Sequence, residues 1–529
     1  MKKTLFLGSA AFLFFNCLNI YSQVGSSPFT LETELVSMPN APRIHSFAFA
    51  QSGGKWLFIG GRTNGLHGFS IGESFPPTYE NKFIWVMDPS NGQTWSENLF
   101  SFMAAAKSDP LRSMNAEFVQ SGDRLYIMGG YGQDTLKDSL VTFPVLSAVD
   151  VGETIQAVMN GTSPDSHIRQ ITDERMRVCG GEASMLADYY VIAGGQNFWG
   201  DYTRFGNNNQ VYSNKFKKFK IIDNGTSLSI SDYTDITDTV NFHRRDLNLV
   251  PSVKSDGTEG LTVYGGVFTF NDLPYQNPVY IDNNFNISSD TSYQQFMSQY
   301  HTAHIVTFDS LTNNLNTTFL GGTSLYYYNN GYIRDELVPF IKNVTTITKL
   351  STGVTTEYVH PVQFDYYVGT NAQFILDPSV PVFDNGIIKL QNLPGRTFVG
   401  YMFGGILADG ANFSTSGPSD KIYKLYITKN PIGIQPIGNQ IPKSFSLHQN
   451  YPNPFNPSTK INFEIPVSGF VNITIYDLLG RKVEELVNGT FRAGFYVTEW
   501  DAAKYASGVY VYRIISGDYS DVKRMILIK

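Results

Sequence analysis

The feature that most constrains this chain is a short apolar run that ends in two glycines and keeps returning. It reads Leu57-Phe58-Ile59-Gly60-Gly61, then Tyr126-Ile127-Met128-Gly129-Gly130, Val191-Ile192-Ala193-Gly194-Gly195 and Thr262-Val263-Tyr264-Gly265-Gly266. Two more copies are Thr317-Thr318-Phe319-Leu320-Gly321-Gly322 and Tyr401-Met402-Phe403-Gly404-Gly405. An apolar run of this length, bounded by turn residues, predicts a buried strand. The glycine pair lets the backbone take positive φ, or lie against a neighbour where a Cβ would clash. Recurrence in one phase along the chain marks a repeat architecture. With 529 residues there is room for a large core and a further domain beside it.

Each glycine pair sits in a longer phrase. In the first unit residues 43–50 predict a strand, Gln51-Ser52-Gly53-Gly54 a turn and residues 55–59 a second strand. Residues 83–88 predict a third strand, and Asn91-Gly92-Gln93-Thr94-Trp95 leads into a fourth. The second unit repeats the order with residues 115–120, the turn Ser121-Gly122-Asp123 and residues 124–128. Strands joined by short glycine-containing turns are hairpins. The order of strand, Gly/Asp turn, strand ending in Gly-Gly and aromatic strands with a Trp resembles the kelch repeat. The resemblance covers about residues 27–430 and implies an all-β fold, a β-propeller with one four-stranded blade per repeat. Six copies then imply six blades. The units are longer than a kelch repeat, so insertions are expected in loops such as 64–81 and 335–381. The sixth unit offers only three strands, over residues 382–390, 397–403 and 421–428. Phe29-Thr30-Leu31-Glu32-Thr33-Glu34-Leu35-Val36 alternates as a strand does. This segment, within residues 27–37, is expected to complete the last blade and to leave no open sheet edge.

Both ends carry their own signals. Lys2 and Lys3 precede an apolar run from Leu5 to Leu18, and Tyr21-Ser22-Gln23 closes it. This is the pattern of a secretory signal peptide over residues 1–23. Lipid attachment at Cys17 is the competing reading, against which stands Asn16, a poor residue before a lipidated cysteine. With the leader gone Cys179 is the only cysteine left, so packing and not a disulfide must hold the fold. Residues 431–443 hold Pro431, Pro436 and Pro442 and read as a linker after a repeat region of 24–430. Residues 444–529 return to β patterning at 461–465, 471–476, 496–500, 509–514 and 522–528. That predicts a small antiparallel, immunoglobulin-like β-sandwich. The phrases Gln449-Asn450-Tyr451-Pro452-Asn453-Pro454-Phe455-Asn456-Pro457, Tyr476-Asp477-Leu478-Leu479-Gly480-Arg481 and Ala506-Ser507-Gly508-Val509-Tyr510 stand in this segment. With the terminal Lys523-Arg524-Met525-Ile526-Leu527-Ile528-Lys529 they resemble the type A C-terminal sorting domain of the type IX secretion system. The resemblance implies export across the outer membrane of a Bacteroidetes-like bacterium and recognition of this domain by the secretion machinery. It also implies removal of the domain, with surface attachment or release of the cargo. An ordinary accessory sandwich is the plainer alternative.

A net charge of −7 argues against nucleic acid and anionic membrane as partners, since both need a basic face. No internal apolar run reaches the ~20 residues of a membrane span. No glycine-rich phosphate loop, His-Glu-x-x-His helix or Gly-x-Ser-x-Gly elbow occurs. In a propeller the innermost strands converge on the axis, so residues at their starts can meet. Those starts are read as Arg43-Ile44-His45, Arg112-Ser113-Met114-Asn115, Arg177-Val178-Cys179, His243-Arg244-Arg245-Asp246, Tyr300-His301-Thr302-Ala303-His304 and Asp384-Asn385. Arg43, Arg112, Arg177, Arg244 and Arg245 are therefore candidate anion ligands. His45, His243, His301 and His304 are candidates for hydrogen bonding or proton transfer, with His243 and His301 the catalytic candidates. The plainer reading is that each arginine bridges neighbouring blades through backbone carbonyls. His301 and His304 lie three apart, which on a strand puts them on opposite faces and tells against a shared metal. Cys179 is expected to fill space at the inner rim. Kelch propellers include copper radical oxidases and sugar-acid mutarotases. The cysteine, tyrosine and histidine set of the oxidases does not map onto this sequence. The expectation is an exported binding protein for a glycan or a protein ligand, cell-surface-attached or released. The alternative is an enzyme acting on an acidic sugar or other small anion, mutarotase-like or a lyase or hydrolase. No cofactor is predicted, and a structural Ca²⁺ is left open.

Overall fold

The computed structural model describes residues 28–68, 72–202, 209–254, 256–412, 415–429, 435–436, 442–467, 469–491 and 493–529. The leader 1–23 with Cys17, and most of the linker 431–443, lie outside the described residues. The fold is all-β. Six sheets follow one another along the chain, each built on four antiparallel strands, and the third and fifth each carry one further short strand. The first runs Ala48–Ser52, Lys55–Ile59, Phe83–Asp88, Gln93–Asn98, and the second Glu117–Ser121, Arg124–Met128, Val145–Asp150, Ile168–Thr172. The third is Cys179–Leu186, Tyr189–Phe198, Lys215–Asp223, Leu228–Thr237, and the fourth Asn248–Val253, Glu259–Tyr264, Val279–Asp282, Ile287–Ser289. The fifth is His304–Asp309, Asn314–Leu320, Asn343–Lys349, Thr355–Gln363. In the sixth, Ala372–Leu376, Arg396–Gly404 and Ile422–Lys429 are completed by the N-terminal strand Phe29–Val36. That strand pairs antiparallel with Ile422–Lys429 from Phe29 opposite Lys429 to Val36 opposite Ile422. Phe29 and Leu31 point into an apolar cluster with Val399, Leu425 and Ile427.

The glycine pairs explain how the sheets meet. Both glycines of every copy have positive φ, between 58° and 94°. A Cβ on the first glycine would run into the next sheet: 2.0 Å from Val178 O at Gly129, 2.5 Å from Arg244 O at Gly194 and 2.3 Å from Val368 O at Gly321. The N–H of the second glycine donates across the same boundary, as from Gly61 to Ser113 O (2.9 Å), Gly130 to Val178 O (2.9 Å) and Gly195 to Arg244 O (2.9 Å). Gly405 N–H donates to Ile44 O (3.1 Å), which joins the sixth sheet to the first.

A second set of links lies one step further in. Ser46, Asn115, Gly180, Asp246, His301 and Asn371 stand at the start of the six inner strands, and all have positive φ. Asn115 N–H donates to Ser46 O (3.2 Å), Gly180 to Asn115 O (2.9 Å) and Asp246 to Gly180 O (2.6 Å). Asn371 N–H donates to His301 O (2.8 Å), and Ser46 N–H returns to Asn371 O (3.5 Å).

Two expectations about strands need correction. Residues 43–50 are not one strand, because Ser46 at φ 57° breaks the run before Ala48. The inner strand of the sixth sheet is Ala372–Leu376, not residues 382–390. The turn around Gly386, closed by Phe383 N–H to Ile387 O (2.9 Å), interrupts that stretch. Its remnant Ile388–Lys389 pairs parallel with His304–Asp309 of the fifth sheet.

Beyond the repeats lie two more four-stranded sheets. One is Lys482–Phe491, Gly469–Asp477, Gly508–Ser516, Tyr519–Leu527, and the other Gln435–Pro436, Gly494–Asp501, Ser458–Ile465, Ser446–Leu447. Their inward side chains, Ile461, Phe463, Ile473, Ile475, Trp500, Tyr512 and Met525 among them, form one apolar cluster.

Candidate functional site: a central cavity

Strand alternation decides what faces inward from the ring of Ser46, Asn115, Gly180, Asp246, His301 and Asn371. The residues one place before them, His45, Met114, Cys179, Arg245, Tyr300 and Thr370, line a cavity of about 790 Å³. The residues just after each glycine pair line it too: Arg62, Tyr131, Gln196, Val267, Thr323 and Ile406. The tiers are tied by backbone pairing, His45 with Arg62, Met114 with Tyr131, Arg245 with Val267 and Tyr300 with Thr323. Cys179 pairs with Gln196, and Ile406 N–H donates to Thr370 O (2.8 Å). Each of the six sheets therefore gives the cavity one side chain per tier. Loops carry further aromatic residues into its wall, including Phe75, Tyr202, Phe268 and Phe270, and the short strand Gln210–Tyr212 adds Tyr212.

The charges are balanced, not basic. Among the described residues, the charged side chains lining the cavity, histidines apart, are Arg62, Arg245, Asp246, Asp272 and Glu336. Arg245 Nη1 donates to Asp246 Oδ2 (2.5 Å). Burial alone would lower the Arg245 pKa, but Asp246 outweighs it and holds the guanidinium charged. Arg62 donates through Nε to Asn64 Oδ1 (3.0 Å) and through Nη2 to Pro76 O (2.9 Å). Burial brings its pKa down to about 10, against the pull of Glu80, so it stays cationic at neutral pH. Burial, with Arg62 adding repulsion, lowers His45 to about 3, and burial lowers His67 to about 4. Both imidazoles are neutral at physiological pH. Burial also pushes the Cys179 thiol up to about 12, so it is protonated at physiological pH.

Of the nine residues picked from the sequence, His45, His243 and Arg245 line the cavity. The other six do not. Arg43 is exposed and pairs with Asp420 (3.7 Å). Arg112 is buried between Glu80 and Asp109. Arg177 pairs with Glu174 (2.7 Å) and donates to Thr142 O (2.6 Å), in a separate surface cleft. Arg244 is buried, donates to Gly265 O (2.9 Å) and lies over the Tyr275 ring at 3.9 Å. His304 Nδ1 bonds to Thr302 O (3.2 Å). His301 belongs to the backbone ring, with Nδ1 3.9 Å from Asp246 Oδ1, and burial lowers its pKa. The supposed sixth start, Asp384-Asn385, falls in the turn described above.

Arg43, Arg112 and Arg177 stand three places before a ring residue, whereas the cavity takes the residue one place before it. The second tier was visible in the sequence, since it is whatever follows Gly-Gly, but its chemistry varies from copy to copy and only Arg62 is charged.

Comparison with known proteins bears on the tail. Residues 449–529 match the family model described as the secretion system C-terminal sorting domain. The chain carries a type IX secretion sorting domain. It is an exported protein, delivered by the type IX secretion system to the cell surface or the extracellular space. No helix among the described residues is long and apolar enough to cross a membrane. No curated protein matches the chain. Among solved structures, "Structure of YjhT" aligns over 74% of this chain and 99% of that one, at 9% identity and TM-score 0.42. PorZ of Porphyromonas gingivalis, described as an essential bacterial surface component of the type-IX secretion system, aligns over 92% and 87% at 10% identity and TM-score 0.14. Likeness at this level carries no information on activity.

Proposed function

We propose that the six sheets are the blades of a kelch-type β-propeller closed by its N-terminal strand, followed by an immunoglobulin-like sorting sandwich. The exported propeller binds a glycan in its central cavity, on the cell surface or after release. One observation carries the reading: each sheet contributes one residue to each of two tiers around the same cavity. Glycine pairs that dock every sheet on the next, and the return from the sixth sheet to the first, support the propeller. The cavity volume lies in the range of small-ligand sites, roughly 300–1,000 Å³. A protein partner would instead call for on the order of 800 Å² of its own surface. Aromatic walls with a few fixed polar groups suit a sugar, which offers both C–H faces and hydroxyls. Among the described residues, Asp246 and Asp272 stand against Arg62 and Arg245 at the cavity, which does not favour an anion.

The test is a glycan array probed with the full exported chain and two variants. Arg245→Gln, inside the cavity, should lose the glycans that the parent binds, and Arg43→Gln, outside it, should keep them. Loss with Arg43→Gln and retention with Arg245→Gln would move the site out of the cavity.

A further inference from the structure

Phe270 lines the mouth of the cavity with 75% of its surface exposed. An exposed phenylalanine is ordinary when nothing holds it, but this one is held. Its ring lies on the His243 imidazole, centroids 4.4 Å apart and planes 20° from parallel. That imidazole lies in turn on Tyr212, at 4.1 Å and 29°. His243 Nδ1 is anchored by a hydrogen bond to Asn214 Oδ1 (2.8 Å). The turn carrying Phe270 is closed by Thr269 N–H to Leu273 O (2.8 Å) and Asp272 N–H to Thr269 O (2.9 Å). The three-ring stack leaves a flat apolar face open beside the cavity, and a ligand that lies on it has little side-chain freedom left to freeze.

Asp272, two residues along the same turn, is exposed and also lines the cavity. Glu336 lines it as well. A sugar whose ring substituents are all equatorial presents C–H groups on both faces and hydroxyls around its edge. An axial hydroxyl roughens one face, and a uronic acid brings negative charge to Asp272.

We propose that Phe270 is the stacking platform for a neutral, equatorially substituted pyranose, with the Asp272 carboxylate accepting hydrogen bonds from its hydroxyls. This rests on the cavity being the ligand site, and it names the sugar class.

Calorimetric titration of the full chain with cellopentaose, chitopentaose and a galacturonate pentamer tests it. At least one neutral oligosaccharide should bind, and the galacturonate should not. Phe270→Ala should weaken binding about tenfold, the size of a lost aromatic contact, and Phe270→Trp should restore it. Because the side chain is exposed, the melting temperature of Phe270→Ala should match the parent. Absence of binding by both neutral sugars at millimolar concentration would overturn the sugar class, as would tighter binding of the galacturonate. Unchanged binding by Phe270→Ala beside loss in Arg245→Gln would overturn the platform and leave the cavity reading standing. Unchanged binding by both variants would sink the two together.

Discussion

Replacing Gly129 by alanine tests how the sheets are joined. Gly129 has φ +68°, and a Cβ there would lie 2.0 Å from Val178 O and 2.8 Å from Met176 O, both backbone atoms of the segment leading into the third sheet. Two effects add. An L-residue at positive φ costs about 1–2 kcal/mol. Forcing atoms into a packed boundary costs about 1–3 kcal/mol more, because backbone cannot rotate away as a side chain can. The sum is about 2–5 kcal/mol, a large share of a typical domain's stability. Gly53 supplies the control. It has φ +56° in the first hairpin turn, and nothing lies within 4 Å of its would-be Cβ. Gly53→Ala should therefore show only the backbone effect, about 1–2 kcal/mol. Urea denaturation of the two variants and the parent, followed by tyrosine and tryptophan fluorescence, gives the difference. Equal losses for Gly129→Ala and Gly53→Ala would refute the claim that the glycine pairs exist for contact between sheets.

Three further outcomes follow from the same structure. Glu117 is buried and Glu182 half-buried; they accept from Gly181 N–H (2.6 Å) and Leu249 N–H (2.5 Å) of the next sheet, and desolvation pushes both pKa values up to about 8. Between pH 4.5 and 8 the unfolded chain has released protons that the folded chain keeps, so stability should fall as pH rises, by up to about 1.4 kcal/mol per pH unit per group. Melting temperatures across that window should decline in the parent and decline less in Glu117→Gln/Glu182→Gln; identical slopes would contradict the assignment. Phe29→Ala, in the N-terminal strand, should cost about 3–5 kcal/mol in urea denaturation, since that ring is 1% exposed. A loss under about 1 kcal/mol would mean that the strand does not close the sixth sheet. Removal of residues 449–529 should leave the protein inside the cell envelope by immunoblot of fractions, and its continued arrival in the medium would contradict the role of the sorting domain.

The repeat was the legible part of the sequence, because positive φ and close approach leave glycine as the one residue for both jobs at once. The N-terminal strand was legible too, since Phe29 and Leu31 alternate with polar neighbours and one face must find a core. The sixth inner strand was not: Ala372–Leu376 is short, and residues 382–390 are a better strand by composition although Gly386 bends them. Lys482–Phe491 in the tail was missed because it is polar along much of its length. The candidate site was legible only in part. Charge drew attention to Arg112, Arg177 and Arg244, each of which is taken up by a carboxylate or a backbone carbonyl outside the cavity. The residues that do meet at the cavity, such as Tyr131, Gln196 and Tyr300, carry no motif, and only the geometry of the ring brings them together.

The most direct measurement is a crystal structure of the full chain soaked with the glycan that it binds best on the array. Density for the sugar within reach of Arg245 and Gln196, enclosed by all six sheets, is the predicted result. Density confined to an outer strand, to the cleft beside Arg177 or to the sorting domain would contradict the account.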